Sequence, residues 1–224
     1  MKKGKFIVIE GTDGSGKGTQ VKLLAKRLRR EGRAVELADF PQYGQPSAYF
    51  VERYLRGEYG TTKEVGPKRA SIFYALDRYE KSLEIREWLA QGRVVISNRY
   101  VSSNMGHQAG NIRDAKKRAA FLKWLIELEY GIFGIPKPDV TILLYVDPAA
   151  AQKFVDKKMA RAYTKGRKRD MLEADIRHLQ NAAEAFRAVA KKYRWTVIDC
   201  MRGEEVITIP EVEKLVYGAA RKIL

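Results

Sequence analysis

The chain has 224 residues, 45% hydrophobic and 31% charged, which suits one α/β domain with a large core and argues against a disordered or fibrous protein. It has one cysteine, Cys200, so an internal disulfide is excluded and a reducing cytoplasm is the expected setting. No run approaches the ~20 apolar residues of a membrane helix, and no secretory leader is read at the start. The net charge of +16, from 43 basic and 27 acidic residues, anticipates polyanionic partners, whether nucleotides or nucleic acid, or reflects a general lysine bias.

In chain order, Phe6-Ile7-Val8-Ile9 reads as a buried strand. It runs into Gly11-Thr12-Asp13-Gly14-Ser15-Gly16-Lys17-Gly18-Thr19 and then into a helix over about 17–31, with Val21, Leu24, Ala25 and Leu28 at helical spacing. This is G-x-x-x-x-G-K between a strand and a helix, the phosphate-loop pattern. Its glycines let successive backbone N–H groups turn inward onto phosphate oxygens, and the helix adds its N-terminal amides to the same anion. Lys17 reaches the outer phosphates of a nucleoside triphosphate. The hydroxyl that usually follows the lysine and holds magnesium is displaced by one position, because Gly18 precedes Thr19.

Gly32 ends the first helix, 34–40 reads as a second strand, and Pro41 breaks it. A helix fills about 46–57, and Pro67 sits in the first turn of a long helix to about Ala90. Strand 93–97 follows, then a polar, glycine-containing loop and a helix over about 114–130. Val140 to Val146 is the most apolar strand and is expected to be central. Asp147-Pro148 begins a helix, 195–199 is a fifth strand, and a helix carrying Val212, Leu215, Val216 and Ala219 closes the chain. Five β-α units predict a parallel sheet with helices on both faces, with ligands bound at the carboxyl ends of the strands. The loops there are 10–19, 39–46, 97–111, 147–150 and 199–208.

Three further stretches carry chemistry. Ser97 to Gln108 concentrates an arginine, amides, hydroxyls and an imidazole at a strand end, which suits recognition of a phosphate plus a hydrogen-bonding base, or is a polar surface loop. Tyr74 and Arg78, four apart on a helix, could stack a base and hold its edge, or be a core residue with a surface neighbour. Lys157 to Arg169 holds seven basic residues around Gly166. It reads as a solvated loop, a nucleic-acid patch, or a lid that closes on a nucleotide and keeps water from the transferred phosphate.

Together these pieces resemble the thymidylate kinase family of phosphate-loop nucleoside monophosphate kinases. The resemblance rests on Ile9 to Lys17, Phe40-Pro41-Gln42-Tyr43-Gly44, Tyr74-Ala75-Leu76-Asp77-Arg78, Arg99 to Asn104, Pro138 to Thr141, and Asp170 with Glu173, in matching order and spacing. It implies a single domain over 1–224 with a three-layer α/β/α P-loop NTPase fold, a five-stranded parallel sheet and a basic lid at about 157–170. It implies ATP and Mg2+ as cofactors, a homodimer, and the reaction dTMP + ATP to dTDP + ADP. By position, residues 11–19 hold ATP. Phe40, Tyr43, Tyr74, Arg78, Arg99, Asn104, His107, Gln108 and Asp13 hold the monophosphate. Lys17, Arg99 and a lid arginine (Arg161, Arg167 or Arg169) act on the transferred group, and Asp13, Thr19 and Glu173 stand near the metal. Three departures mark this chain: Asn98 where the family motif usually begins with Asp, Gln42 where arginine is frequent, and His107 where an aromatic is frequent. Two other enzymatic readings remain, another nucleoside monophosphate kinase and a nucleic-acid-dependent ATPase, the second disfavoured by the lack of aromatics among the basic residues. A weakly active nucleotide-binding homologue is the reading that Asn98 motivates.

Overall fold

A computed structural model describes residues 3–151 and 176–224. Five parallel strands form its centre: β1 (Lys5–Glu10), β2 (Val35–Asp39), β3 (Val94–Asn98), β4 (Val140–Tyr145) and β5 (Thr196–Asp199), in the order β2-β3-β1-β4-β5. Phe6, Ile7, Val8 and Ile9 are fully buried, as expected of a parallel strand covered on both faces. Alternate side chains of β1 therefore serve two cores. Ile7 and Ile9 pack with Leu24 and Leu28 of α1 (Lys17–Arg30), while Phe6 and Val8 pack with Ile85, Tyr100 and Leu125 on the opposite face. The sheet centre is thus β1, with the apolar β4 beside it.

Between β2 and β3 lie the short α2 (Tyr49–Leu55) and the long α3 (Thr62–Ala90). Thr61 caps α3 reciprocally with Glu64, and the helix breaks at Gly66, whose φ is 72°. Pro67 then opens the straight part, in the first-turn place expected of it. After β3 come α4 (Val101–Gly110) and α5 (Ala115–Ile126), the latter continuing as a π-helical turn over Glu127–Ile132. Beyond residue 175, α6 (Ile176–Tyr193) leads to β5, a small hairpin of β6 (Met201–Arg202) and β7 (Glu205–Val206), and α7 (Ile209–Arg221), which packs on α1. The basic segment 157–169 falls outside the described residues.

One segment differs from expectation. Residues 97–111 read as a loop because serine, asparagine and glycine are poor helix formers, yet Val101–Gly110 is helical. Tertiary packing makes this helix. Gly106 and Gly110, one turn apart, let α6 approach closely. A Cβ on Gly106 would sit 2.4 Å from the Phe186 ring, and one on Gly110 would sit 2.8 Å from the Asn181 carbonyl oxygen. What looks like loop chemistry is a helix contact surface, and it fixes the polar side chains of α4 at the carboxyl end of the sheet.

Candidate active site

The loop between β1 and α1 has its glycines where backbone geometry demands them. Gly11, Gly14 and Gly16 have φ of 151°, 85° and 81°, and a Cβ on Gly14 would fall 2.2 Å from the Ala151 carbonyl oxygen. Helix α1 starts with no side-chain cap and no acidic residue in its first turn, so its end is an electropositive site for an anion. The Lys17 ammonium donates to the Thr12 carbonyl at 2.7 Å and lies over the loop.

Facing the loop is Arg99, immediately after β3. Its φ of 67° is a left-handed conformation that costs a non-glycine residue about 1–3 kcal/mol, and such strain persists where the surroundings over-determine the position. The guanidinium shows that over-determination. Nη2 donates to Asp13 Oδ1 at 2.8 Å, and Nη1 faces Ser103 Oγ and His107 Nε2, each at 3.2 Å, and Glu10 Oε1 at 3.4 Å. Burial disfavours the charge, but Asp13 and then Glu10 outweigh it and hold the guanidinium above its ordinary pKa. Glu10 is itself fully buried and accepts from the Gly11 N–H at 3.0 Å, Ser102 Oγ at 2.7 Å and Ser103 Oγ at 2.9 Å. A carboxylate ending an otherwise apolar buried strand was the available sequence signal for Glu10. Its donors on α4 are not visible until that helix is known.

One cavity of about 680 Å3 joins these parts. Asp13 to Thr19 form one wall, and every expected acceptor residue reaches the rest: Phe40, Tyr43, Tyr74, Arg78, Arg99, Asn104, His107 and Gln108. Gly11 and Thr12 are not on its wall. Several of these side chains are tied from behind. Arg78 is buried, with Nε 2.7 Å and Nη2 2.5 Å from the two oxygens of Glu129 in the π turn. Burial opposes its charge, and Glu129 more than offsets that, leaving its pKa above the ordinary value. Asn104 Nδ2 donates to the Ser71 carbonyl at 3.2 Å, and the His107 ring stands edge-on to Phe186. The Gln42 side-chain amide turns to Asp77 (Nε2 to Oδ1, 3.1 Å), which also accepts from the Gln42 N–H at 3.0 Å and Ser47 Oγ at 2.6 Å. Gln42 therefore tethers its loop to α3 rather than lining the cavity.

The far end of the cavity is apolar, with Val206, Ile207, Ile209 and Val212. Val212 reads in sequence only as an apolar helix position, and the two-residue strands of the hairpin beside Val206 and Ile207 are too short to read. The lid residues Arg161, Arg167 and Arg169, and Glu173, lie outside the described residues. Among the described residues no three His, Cys, Asp or Glu side chains gather to hold a metal ion. Among the oxygen-bearing side chains on the cavity wall are the Asp13 and Asp39 carboxylates, the Asn98 amide and the Thr19 hydroxyl. That all-oxygen, open set fits magnesium, which keeps several waters and binds through one or two carboxylates plus substrate phosphates.

A glycine-rich loop closing on a helix N-terminus, its lysine, and a second wall with a held arginine define a phosphate-loop nucleotide kinase. A family model described as thymidylate kinase matches residues 9–208. The thymidylate kinase of Mycobacterium tuberculosis is 35% identical over 200 residues, spanning 86% of this chain and 90% of its own. A probable thymidylate kinase of Pyrobaculum aerophilum is 32% identical over 219 residues, spanning 96% and 98%. The solved thymidylate kinase of Candida albicans superposes with a TM-score of 0.74 at 23% identity, covering 99% of this chain and 92% of that one, and so shares the fold. The chain belongs to the thymidylate kinase family.

Proposed function

We propose that this chain transfers the γ-phosphoryl group of ATP to dTMP, giving dTDP and ADP for dTTP synthesis. The observation that carries this reading is the single cavity that runs from the phosphate loop to the Arg99 and Tyr74 wall. Two nucleotides meeting there place their phosphates between Lys17 and Arg99. The loop amides and Lys17 hold the donor phosphates, with the donor base at the apolar end of the cavity. Tyr43 and Arg99 hold the acceptor phosphate, Tyr74 stacks on the acceptor base, and Arg78, Asn104 and Gln108 meet its edge. Glu129 fixes the Arg78 fork for that contact. The acceptor phosphate is already an anionic nucleophile, so no general base is needed. Positioning and charge neutralisation supply the catalysis. Asp13 and Thr19, with Glu173, would hold magnesium, which would supply positive charge to the phosphate oxygens when bound. One of Arg161, Arg167 and Arg169 acts on the transferred group, because Gly14 rather than a basic residue follows Asp13. A coupled ADP-release assay over dTMP, dUMP, UMP, CMP, AMP and GMP tests the substrate. The highest kcat/KM is expected with dTMP, and equal use of another acceptor would refute the assignment.

The protein is further proposed to act as a homodimer through α3. Ile72, Leu76, Tyr79 and Leu83 recur at four- and three-residue steps and are 37–48% exposed. This one-sided apolar stripe is self-complementary when two copies meet about a two-fold axis. Sedimentation of the wild type at twice the monomer mass, and of Leu76→Asp/Leu83→Asp at the monomer mass, is the expected result. A monomeric wild type at micromolar concentration would exclude the dimer. A cytoplasmic site of action fits the single cysteine, whose thiol is pushed up to about 12 by burial and by the neighbouring Asp199 charge and is thus unreactive. Among the described residues no helix is long and apolar enough to cross a membrane.

A further inference from the structure

We propose that Asp39 supplies a carboxylate of the active site toward the magnesium–nucleotide complex, and that Asn98 is its positioning residue. Strands β2 and β3 pair with Asp39 opposite Asn98. Both side chains reach the cavity wall, and Asn98 Nδ2 donates to Asp39 Oδ1 at 2.8 Å. The Phe40 N–H donates to the Asn98 carbonyl at 3.0 Å and fixes the two strand ends at this level. Asp13 and Asp39 are the carboxylates on the wall, set among Lys17, Lys22, Arg78 and Arg99, and Asp13 is engaged by Arg99.

The Asn98 amide has a second end. Its Oδ1 is buried and has no hydrogen-bond partner among the described residues. A buried acceptor left unmet costs about 1–3 kcal/mol, so this oxygen calls for a donor that arrives with the ligand. A metal-bound water is such a donor, since magnesium retains several. Asn98 thus holds Asp39 with one atom and offers the other to the metal's hydration shell. The negative charge that Asn98 lacks is present, carried on the neighbouring strand. The pair makes a carboxylate and an amide oxygen from two strand ends.

This inference rests on the kinase reading above, and it makes a prediction with a change of sign. Asn98→Asp alone places two carboxylates at hydrogen-bond distance, where both cannot be comfortably ionised. It should not improve the enzyme. In an Asp39→Asn background the same substitution restores a carboxylate–amide pair in mirror image and should be beneficial. The test compares wild type, Asp39→Asn, Asn98→Asp and the double variant, using calorimetric ATP titrations at a series of Mg2+ concentrations together with kcat and KM for dTMP. Loss of a supporting ligand typically weakens metal use about 10–100-fold. The half-saturating Mg2+ concentration for ATP binding should accordingly rise about tenfold in Asp39→Asn, with ATP binding in EDTA unchanged, and fall back in the double variant. Asp39 is solvent-exposed, so the melting temperature should hold, and Asp39→Glu serves as a second, charge-retaining variant that should keep near-wild-type Mg2+ dependence. An Asp39→Asn protein within twofold of wild type in Mg2+ dependence, or a gain from Asn98→Asp in both backgrounds, overturns the inference. Absence of dTMP phosphorylation in the wild type would instead count against the functional reading, while the Mg2+ dependence of ATP binding would still report on Asp39.

Discussion

Replacing Lys17 by alanine is expected to lower kcat for dTMP phosphorylation by about 10²–10³-fold, the usual loss when one preorganised charge aimed at the transition state is removed. Lys17 is 6% exposed, so its ammonium acts in a site with little water to screen it. Phosphoryl transfer spreads charge over the moving group and leaves the protein little covalent chemistry to do. A lost cation is therefore felt mainly in kcat. The KM for dTMP should change little, because Arg99, Tyr43 and Tyr74 form the acceptor wall independently of Lys17. Lys17→Arg should not rescue, since a planar fork cannot take the place of a compact ammonium folded over the loop at 2.7 Å from Thr12. Steady-state kinetics with both substrates varied checks this, and a kcat within tenfold of wild type would remove Lys17 from the catalytic role.

The second large effect is on stability. Glu129→Ala should destabilise the fold by about 3–5 kcal/mol, the usual result of removing one partner from a buried ion pair. The Arg78 side chain is 2% exposed and that of Glu129 is fully buried, so alanine leaves a buried guanidinium without its bidentate ion-pair partner. For a domain of this size that corresponds to a fall in melting temperature of roughly 10 °C. Arg78→Met/Glu129→Leu should recover most of the loss, because an apolar pair of similar volume replaces a buried ion pair at little cost. It should nonetheless bind dTMP poorly, since Arg78 lines the acceptor pocket. Thermal melts paired with dTMP titrations separate the two roles. A double variant that binds dTMP normally would leave Arg78 with a structural role alone.

The contrast between these two residues shows what could be read from sequence. Lys17 was legible because strand, glycine-rich loop and helix are adjacent in the chain and their spacing encodes one local geometry. The strand order was reachable through the family resemblance, and Pro67, Gly32 and Gly92 marked helix ends by local backbone rules. Glu129 and Asp39 are not legible as site residues, and Glu10 is legible only as a carboxylate that ends an apolar strand. Their roles come from partners 51, 92 and 59 positions away, and no periodicity records such a pairing. Helix α4 was missed for a related reason. Its glycines argue against a helix locally, and only the close approach of α6, with Phe186 against Gly106 and Asn181 against Gly110, explains them. Gln42 shows the converse. Its neighbours in the chain mark it as a site position, but its amide is committed to Asp77.

Transfer of radiolabel from γ-labelled ATP tests the account most directly, run with Mg2+ over the same acceptor series. The geometry of one cavity with facing Lys17 and Arg99 predicts that the label moves into dTDP, with dTMP the preferred acceptor and little inorganic phosphate released. Label recovered as inorganic phosphate, or in the diphosphate of another nucleoside in preference to dTDP, would contradict it.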